Sequence, residues 1–259
     1  MTISDIITLP FGVCDFEELS PYLFDTRNRS EIPSNAKSII SVLFPYFAGE
    51  ENYRDRNISR YAVPRDYHIT ANRILSEYCE KLSKAYPGKC FVHFADNSPV
   101  PEVFAAVKCG LGVKGRNGLL INRRYGSYVF LGEIITDAYF TPTCAEINLC
   151  EGCGRCEKMC PGGAITDGKI DREKCFSAIS QQKKDLTEKQ IEVIKSSGIC
   201  WGCDICQEVC PYNAHPEITP ISDFIDTCIA HIDENTSIEN RAFGWRGEKV
   251  IKRNIGIIK

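Results

Sequence analysis

Two runs of four cysteines, each followed by a proline, constrain this chain more than any other feature of its sequence. The runs share the spacing C-x2-C-x2-C-x3-C-P and comprise Cys150, Cys153, Cys156, Cys160 and Pro161, then Cys200, Cys203, Cys206, Cys210 and Pro211. In bacterial proteins this run holds 4Fe-4S clusters, and the fourth cysteine of each run ligates the other cluster. The spacing therefore predicts two iron-sulfur clusters and a role in electron transfer.

Zinc sites and disulfide bonds are the alternative uses of so many cysteines. Structural zinc sites are usually built from two separated pairs of ligands, which fits two runs of four poorly. Disulfide frameworks belong to small secreted chains, and the N-terminal segment lacks the basic and apolar stretches of an export signal. No apolar run reaches the length of about 18 residues that a membrane span needs. We therefore predict a reduced, cytoplasmic protein with no membrane partner.

Nine of the 15 cysteines lie between residues 150 and 210, which is one more than two clusters require. The additional residue is Cys175, so either Cys175 or one member of the two runs is not a ligand. The other cysteines are scattered singly, and we expect most of them to be small buried apolar residues: Cys14, Cys79, Cys90, Cys109, Cys144 and Cys228.

The residues before the cysteine runs show alternating strand and helix patterns. Short apolar runs at 38–44 and 90–95 predict buried strands, and apolar residues recur with a helical period from 66 to 86. A shorter helix is predicted at 101–108. After a glycine-rich loop, two further strands are predicted to form a hairpin, at 119–122 and 127–136.

At 259 residues the chain is much longer than a protein that only holds two clusters. We predict an α/β domain at 1–141, a bacterial-ferredoxin-like two-cluster domain at 142–215 and a C-terminal return segment at 216–259. The net charge of −3 argues against a general nucleic-acid-coating role. The return segment has a basic tail, which we interpret as a solvated helix face, with a phosphate-binding patch as the alternative: Arg241, Arg246, Lys249, Lys252, Arg253 and Lys259.

Two short motifs resemble cofactor signatures but lack part of them. Gly110–Gly115 matches G-x-G-x-x-G, yet a predicted helix precedes it and a strand follows, the reverse of a dinucleotide site. These glycines either let the backbone approach a bulky group or turn a tight corner. Asp66–His68 resembles the start of the D-x-H-x-x-G motif of histidine-ligated cobalamin enzymes, but Ala71 replaces the glycine. We interpret His68 as a polar residue at a helix N-terminus.

Seven segments, in order along the chain, resemble one family. They are Ser59–His68, Asp96–Pro99 with Glu102, Cys109–Gly115, Gly126-Ser127, Leu131–Glu133, Gly202–Gln207 and Cys210–Asn213. Together they are similar to the epoxyqueuosine reductases, which reduce the epoxide of the queuosine precursor in tRNA anticodons. The similarity runs from about residue 32 to residue 259 and so covers most of the chain.

The resemblance implies two 4Fe-4S clusters and cobalamin, with an α/β cobalamin-binding domain related to the core of the reductive dehalogenases. It implies that Asp96 donates a proton to the substrate, and this role calls for a pKa that burial has raised. By motif position it also implies cobalamin contacts from Asp96, Arg60, Tyr61 and Ser177.

The resemblance further implies a set of cluster ligands that includes Cys175, which lies in a Cys-x-Ser segment after the first run. Cluster one then takes Cys150, Cys153, Cys156 and Cys210. Cluster two takes Cys160, Cys175, Cys203 and Cys206, and Cys200 is not a ligand. The ferredoxin pattern alone instead gives Cys200 to cluster two and leaves Cys175 free; we favour Cys175.

The implied partners are a tRNA anticodon stem-loop and an external low-potential electron donor, such as a flavodoxin or ferredoxin, that reduces the clusters and through them cobalamin. Members of the family usually continue after an Arg-Asn segment like Arg253-Asn254 into a helical-repeat domain that grips tRNA, whereas this chain stops at Lys259. Two alternatives therefore stay open. One is a related cobalamin-dependent reductase of a small molecule, and the other is a non-catalytic electron carrier.

Overall fold

A computed structural model describes residues 2–143 and 150–259 of the chain. Its strands are β1 Phe11–Asp15, β2 Ser38–Pro45, β3 Phe91–Phe94, β4 Val113–Lys114, β5 Leu120–Ile121, β6 Val129–Thr136, β7 Ile165–Thr166 and β8 Lys169–Ile170. Its α-helices are α1 Ile3–Ile6, α2 Phe16–Leu19, α3 Tyr67–Ala85, α4 Glu102–Lys108, α5 Arg155–Lys158, α6 Phe176–Ser180, α7 Glu188–Ser197, α8 Ile205–Glu208, α9 Ser222–Asp226 and α10 Glu248–Ile258. Short 3-10 turns lie at Ser20–Tyr22, Arg27–Glu31, Glu50–Tyr53, Arg60–Ala62 and Pro211–Asn213.

A four-stranded antiparallel sheet in the order β1-β2-β6-β3 forms the centre of the α/β region. β2 and β6 pair along their whole length, from Ser38 opposite Thr136 to Pro45 opposite Val129. Every residue of β2 is buried, because the sheet is covered on both faces. Ile40, Val42 and Phe44 pack in the cluster that contains α3, whereas Ile39 and Leu43 pack in the cluster that contains α4.

The structure confirms most of the predicted elements in this region. β2, α3, β3 and α4 occupy the segments predicted as strand, helix, strand and helix. The side chain of Asp66 caps α3 by accepting a hydrogen bond from the amide of His68. The predicted hairpin is wrong, because β5 pairs with β4 and β6 pairs with β2 and β3. Strand propensity alone does not determine which strand is the partner.

The glycine-rich loop after α4 turns a tight corner, which is one of the two interpretations given above. Gly110 and Gly118 have φ of 77° and 81°, in the left-handed region that favours glycine. A Cβ on Gly112 would overlap the backbone carbonyl of Ile121, so the loop packs directly against β5.

The C-terminal segment returns to the α/β core. Phe224, Phe243 and Ile251 are buried in the cluster that contains α3 and one face of the sheet. In the basic tail, Lys252 pairs with Glu248 at 2.6 Å on the same helix, and the guanidinium of Arg253 donates to the carbonyl of Lys184. These contacts support the interpretation of the tail as a helix face.

The scattered cysteines differ in burial. Cys14, Cys79 and Cys109 are buried, Cys228 is half-buried and Cys90 is exposed. Cys144 lies outside the described residues.

Among the helices of residues 2–143 and 150–259, none combines the length and the apolar character that crossing a membrane requires.

Candidate functional site

The cluster cysteines surround two separate hollows. A first group lines a small hollow beside Tyr212 and consists of Cys150, Cys153, Cys156 and Cys210. A second group lines one end of a cavity of about 560 Å³ and consists of Cys160, Cys175, Cys203 and Cys206. Within the described residues, no three His, Cys, Asp or Glu side chains converge tightly enough to hold a single metal ion. Each hollow therefore offers four thiols around a space that suits a multi-atom cluster better than one ion.

Cys200 lies away from both hollows. Its side chain is fully buried beside Trp201 in the apolar core, and its amide donates to the carbonyl of Asn57 at 2.7 Å. Burial raises the pKa of the Cys200 thiol to about 12. Because it lines neither hollow and packs in the apolar core, Cys200 behaves as a small apolar residue rather than as a ligand.

Two of the family-like motifs dock the second cysteine run onto the sheet region. The side-chain amide nitrogen of Gln207 donates to the backbone carbonyl of Ser127 at 2.9 Å and to the hydroxyl of Tyr46 at 3.1 Å. The side-chain oxygen of Asn213 accepts from the amide of Ser127 at 2.7 Å. Gly126 has φ of 59°, and a Cβ there would overlap the Asn213 side chain. Buried amide side chains thus fix the position of the second run.

A second contact joins the Ser59–His68 segment to the same run. The amide of Ser59 donates to the carbonyl of Trp201 at 2.8 Å, and the indole of Trp201 donates to the hydroxyl of Tyr61 at 2.9 Å. Gly202 has φ of 76° and lies directly against the Ser59 side chain, where no Cβ fits. Close packing between the two segments therefore accounts for these motif residues.

The cavity beside the second group combines aromatic walls with polar side chains. Tyr61 and Ser177 line it, as the resemblance implies. The side-chain amide of Gln181 links them by donating to the hydroxyl of Tyr61 at 3.3 Å and to that of Ser177 at 3.4 Å. Phe130 from β6 also lines the cavity, with its ring centre 6.5 Å from that of Tyr61.

The structure does not bring Arg60 into this cavity. Its guanidinium pairs with Glu50 at 3.1 Å and with Glu208 at 3.4 Å, and it lies over the ring of Tyr53 at 4.7 Å. Arg60 and Tyr61 are neighbours in a 3-10 turn, so their side chains point in different directions. Arg60 holds α8 against the α/β region instead.

Asp96 lies outside the cavity, in a strained loop that follows β3. Asp96 and Asn97 have φ of 59° and 51°, which is uncommon for two consecutive residues other than glycine. Such strain persists only where the surroundings enforce it, and it concentrates at functional sites. The Asp96 carboxylate lies 3.1 Å from Nε2 of His68, and Nδ1 of His68 lies 2.6 Å from Asp66.

The electrostatics of this triad contradict the expectation of a raised Asp96 pKa. The hydrogen bond from His68 lowers the pKa of Asp96, and this effect exceeds the opposing effect of partial burial. Partial burial lowers the pKa of His68, but its bonds to Asp66 and Asp96 outweigh burial and raise that pKa to about 9. At neutral pH the pair is therefore an imidazolium and a carboxylate that share one proton.

A stack of rings connects the triad with the cavity. The ring of Tyr67 lies 4.0 Å from that of His68 and 4.0 Å from that of Phe130, and the planes of Tyr67 and Phe130 differ by only 7°. Because Phe130 lines the cavity, His68 and Asp96 stand at the far end of this stack. The interpretation of His68 as a simple polar N-terminal residue missed this role.

The sequence interpretation also missed two cavity residues, Arg172 and Trp245, and named Arg246 only as part of the basic tail. The guanidinium of Arg246 lies 3.6 Å from the centre of the Trp245 ring, and its Nε is buried without a hydrogen-bond partner. An exposed tryptophan next to an arginine in a basic tail was the available signal.

Comparisons with known proteins agree with the motifs. Residues 27–96 match the family described as "Epoxyqueuosine reductase QueG, DUF1730", and residues 149–213 match the "4Fe-4S double cluster binding domain". The chain is 33% identical over 240 residues to an epoxyqueuosine reductase of Lactococcus garvieae, with 85% of this chain and 68% of that one covered. It is 35% identical to the enzyme of Listeria monocytogenes over 74% of this chain and 54% of that one.

Solved structures share the fold. The epoxyqueuosine reductase of Streptococcus thermophilus superposes with a TM-score of 0.78 at 24% identity, covering 96% of this chain and 76% of that one. An epoxyqueuosine reductase crystallised with a modified tRNA stem-loop gives 0.80 at 23% identity, covering 99% and 78%. The reductive dehalogenase NpRdhA gives 0.52 at 17% identity, covering 96% and 33%. The predicted similarity to the dehalogenase fold is thus confirmed.

Proposed function

The chain belongs to the epoxyqueuosine reductase family, and we propose that it reduces epoxyqueuosine to queuosine in a tRNA anticodon stem-loop, in the cytoplasm. One observation carries the proposal. One cavity is lined by four cluster-type cysteines and by Phe130, and Phe130 stacks through Tyr67 on the proton-holding His68–Asp96 pair. A reductive deoxygenation needs both an electron source and a proton source at one place.

Two 4Fe-4S clusters supply the electrons in this proposal. The first group of cysteines holds one cluster and the second group holds the other. Support comes from the way the hollows divide the thiols, four to each, with Cys175 in the second group and Cys200 in neither. Cys203, Cys175 and Cys160 all lie close enough to the Cys206 thiol for a charge on any of them to raise its pKa, which fits one shared site.

Cobalamin is the cofactor that we assign to the cavity lined by the second group and Phe130. It carries a phosphodiester and several amides, and the cavity offers Arg246 with an unpartnered buried Nε, together with Tyr61, Ser177 and Gln181. When bound, cobalamin supplies the low-potential redox chemistry that protein side chains lack. The residues around it bind and orient the cofactor and limit the access of water.

Asp96 and His68 hold the proton in the proposed reaction. Asp96 is the donor to the substrate, and His68 keeps the proton available, because the pair retains it well above neutral pH. Asp66 fixes the His68 ring from the other side at 2.6 Å. The strained φ of Asp96 and Asn97 holds the donor in the loop beyond β3.

An external acidic donor, such as a flavodoxin or ferredoxin, delivers electrons at the first group. Cys153 is exposed, whereas the second group borders the cavity. Beside Cys210 lies a groove whose lining includes Arg155, Lys158 and the exposed Met159. Positive charge around an apolar centre suits an acidic redox partner and steers its approach.

Anaerobic reconstitution with iron, sulfide and cobalamin tests the function. The holoenzyme, given a chemical reductant, is expected to convert an epoxyqueuosine-containing stem-loop to its queuosine form, as read by mass spectrometry of the nucleosides. A halogenated phenol serves as the comparison substrate. If the protein binds both cofactors but converts only the phenol, it is a reductase of small molecules. If it binds the clusters but no cobalamin, it is an electron carrier.

A further inference from the structure

Two buried carboxyl groups lie behind Asp96 and take no part in the mechanism given so far. Glu102 is the first residue of α4, and Glu133 lies in β6 with no exposed surface. Within the described residues, both oxygens of Glu133 and one oxygen of Glu102 are buried without a hydrogen-bond partner. The hydroxyl of Ser41, directly opposite Glu133 on β2, is likewise unpartnered. Buried carboxylates without partners are costly, so these groups favour the protonated form.

Glu102 is in contact with the loop that carries Asp96. Its carboxyl group lies close enough to the backbone amide of Asp96 for that amide to lower its pKa. Burial is the main cause that raises the pKa of Glu102 to about 7, and the nearby charge of Asp96 raises it further. Burial raises the pKa of Glu133 well above its usual range, and the charge of Glu102 adds to this.

The titratable groups that face this pair come from each packed element. Asp96 and His68 lie beside Glu102, and the Tyr67 hydroxyl is close enough for the charge of Glu102 to act on it. On the sheet, β1 contributes Cys14 next to Glu133, and β2 carries no titratable side chain. Cys109, directly after α4, also lies near Glu133 and Cys14. The negative charge of Asp96 raises the pKa of Glu102, and the positive charge of His68 lowers it. With a pKa of about 7, Glu102 is close to the midpoint of its titration at neutral pH.

The chemistry of the proposed reaction needs two protons. Reduction of an epoxide to an alkene breaks two C–O bonds and forms one C–C π bond. The oxygen leaves as water after taking up two electrons and two protons. The electrons come from the external donor through the clusters. The His68–Asp96 pair holds only one shared proton, so a second one must reach Asp96 before the reaction is complete.

We propose that Glu102 holds this second proton and passes it to Asp96 within the same turnover, while Glu133 remains protonated behind it. This inference rests on the proposed function. Glu102 acts through Asp96 and does not touch the substrate, so it is a positioning residue rather than a catalytic one. Glu102 is partly exposed, so water can protonate it again after the transfer.

Single-turnover kinetics of the holoenzyme against pH test the inference, with the stem-loop as substrate. In the wild type the rate is expected to fall as pH rises through about 7, because only protonated Glu102 donates. Glu102→Gln keeps the shape of the side chain but holds no transferable proton. Its rate should be about tenfold lower at pH 6 and should lack this pH dependence. Glu102→Asp should restore the dependence in part.

Glu18→Gln is the matched control, because Glu18 pairs with Lys108 at the other end of α4, at 2.6 Å on the surface. It should leave the pH profile unchanged. A second readout needs no turnover. The infrared carbonyl band of protonated Glu102, isolated by subtracting the spectrum of Glu102→Gln from that of the wild type, should fade between pH 6 and pH 8.

The two proposals fail in distinguishable ways. A wild type that loads both cofactors but makes no product contradicts the proposed function, and the infrared band then still decides whether Glu102 exchanges a proton. An active wild type whose pH profile is identical in Glu102→Gln, or a band of constant intensity, overturns the inference about Glu102.

Discussion

The candidate site has two sides that are built in different ways: the cysteine side lines the cavity, and the proton side lies outside it, beyond Phe130 and Tyr67. On the cysteine side, thiols from short helices and loops converge, and their positions follow from spacing within two runs. On the proton side, His68 lies in the first turn of α3, Asp96 follows β3 and Glu102 begins α4, so three separate parts of the chain supply the groups. In the proposed reaction, electrons and protons therefore come from separate parts of the fold. Damage to one side should leave the other side intact.

The largest expected effect is on the cysteine side. Cys175→Ala should lose the second cluster, and with it about half of the bound iron and all turnover driven by an external donor, because a ligand is missing. Cys200→Ala is the matched control. It should keep the full iron content and lose only about 1–2 kcal/mol of unfolding free energy, as expected for a truncated core residue. Iron analysis and visible spectra of the two variants decide the assignment; iron loss in Cys200→Ala alone would reverse it.

On the proton side, Asp96→Asn should lower turnover by at least about a hundredfold, because an amide cannot donate the proton. Both clusters and cobalamin should remain bound, as measured by iron content and absorbance. The exposed Asp25, changed to Asn, is the control for loss of a negative charge. Undiminished turnover in Asp96→Asn would remove Asp96 from the mechanism, and loss of iron would show that the two sides are not independent.

The two sides also differ in how far the sequence determined them. Cysteine spacing is local, so the runs alone predicted two clusters, whereas the choice of Cys175 over Cys200 needed the family resemblance. β2 and α3 followed from apolar periodicity, but the partner of β6 did not, since pairing depends on distant residues. The direction of the Asp96 pKa shift was wrong for the same reason: its partner His68 lies 28 residues away in sequence.

Adjacent residues illustrate the same limit at the smallest scale. Motif position suggested that Arg60 and Tyr61 share a role, yet only Tyr61 lines the cavity. The turn that contains them directs Arg60 toward Glu50 and Glu208 instead. Local sequence identifies which residues belong to the site region, and backbone geometry decides which of them face it.

A smaller effect is expected where the electron donor binds. Reversing two charges next to the first group, with Arg155→Glu and Lys158→Glu together, should slow reduction by an acidic flavodoxin about tenfold at low salt, because electrostatic steering is lost. High salt should remove most of the difference. Reduction by dithionite, a small reagent, is the internal control and should not change. Stopped-flow bleaching of the clusters measures both, and equal rates with flavodoxin would move the docking site elsewhere.

The smallest effect concerns the stability of the proton side. The folded pKa of His68, about 9, lies above its ordinary value of 6.5, so its ion pairs stabilise the fold fully below pH 6.5 and lose this contribution as pH rises through about 9. At the acid end the contribution from Asp96 disappears as pH falls through its lowered pKa, below 3.8. Because the side chains of His68 and Asp96 are 39% and 51% exposed, solvent screening limits the contribution to less than about 1 kcal/mol. Anaerobic denaturant titrations of the wild type and His68→Asn should therefore differ at pH 6 and converge by pH 10, with iron content equal throughout. A difference that persists at pH 10 would mean that His68 stabilises the fold by packing against Tyr67 rather than by charge.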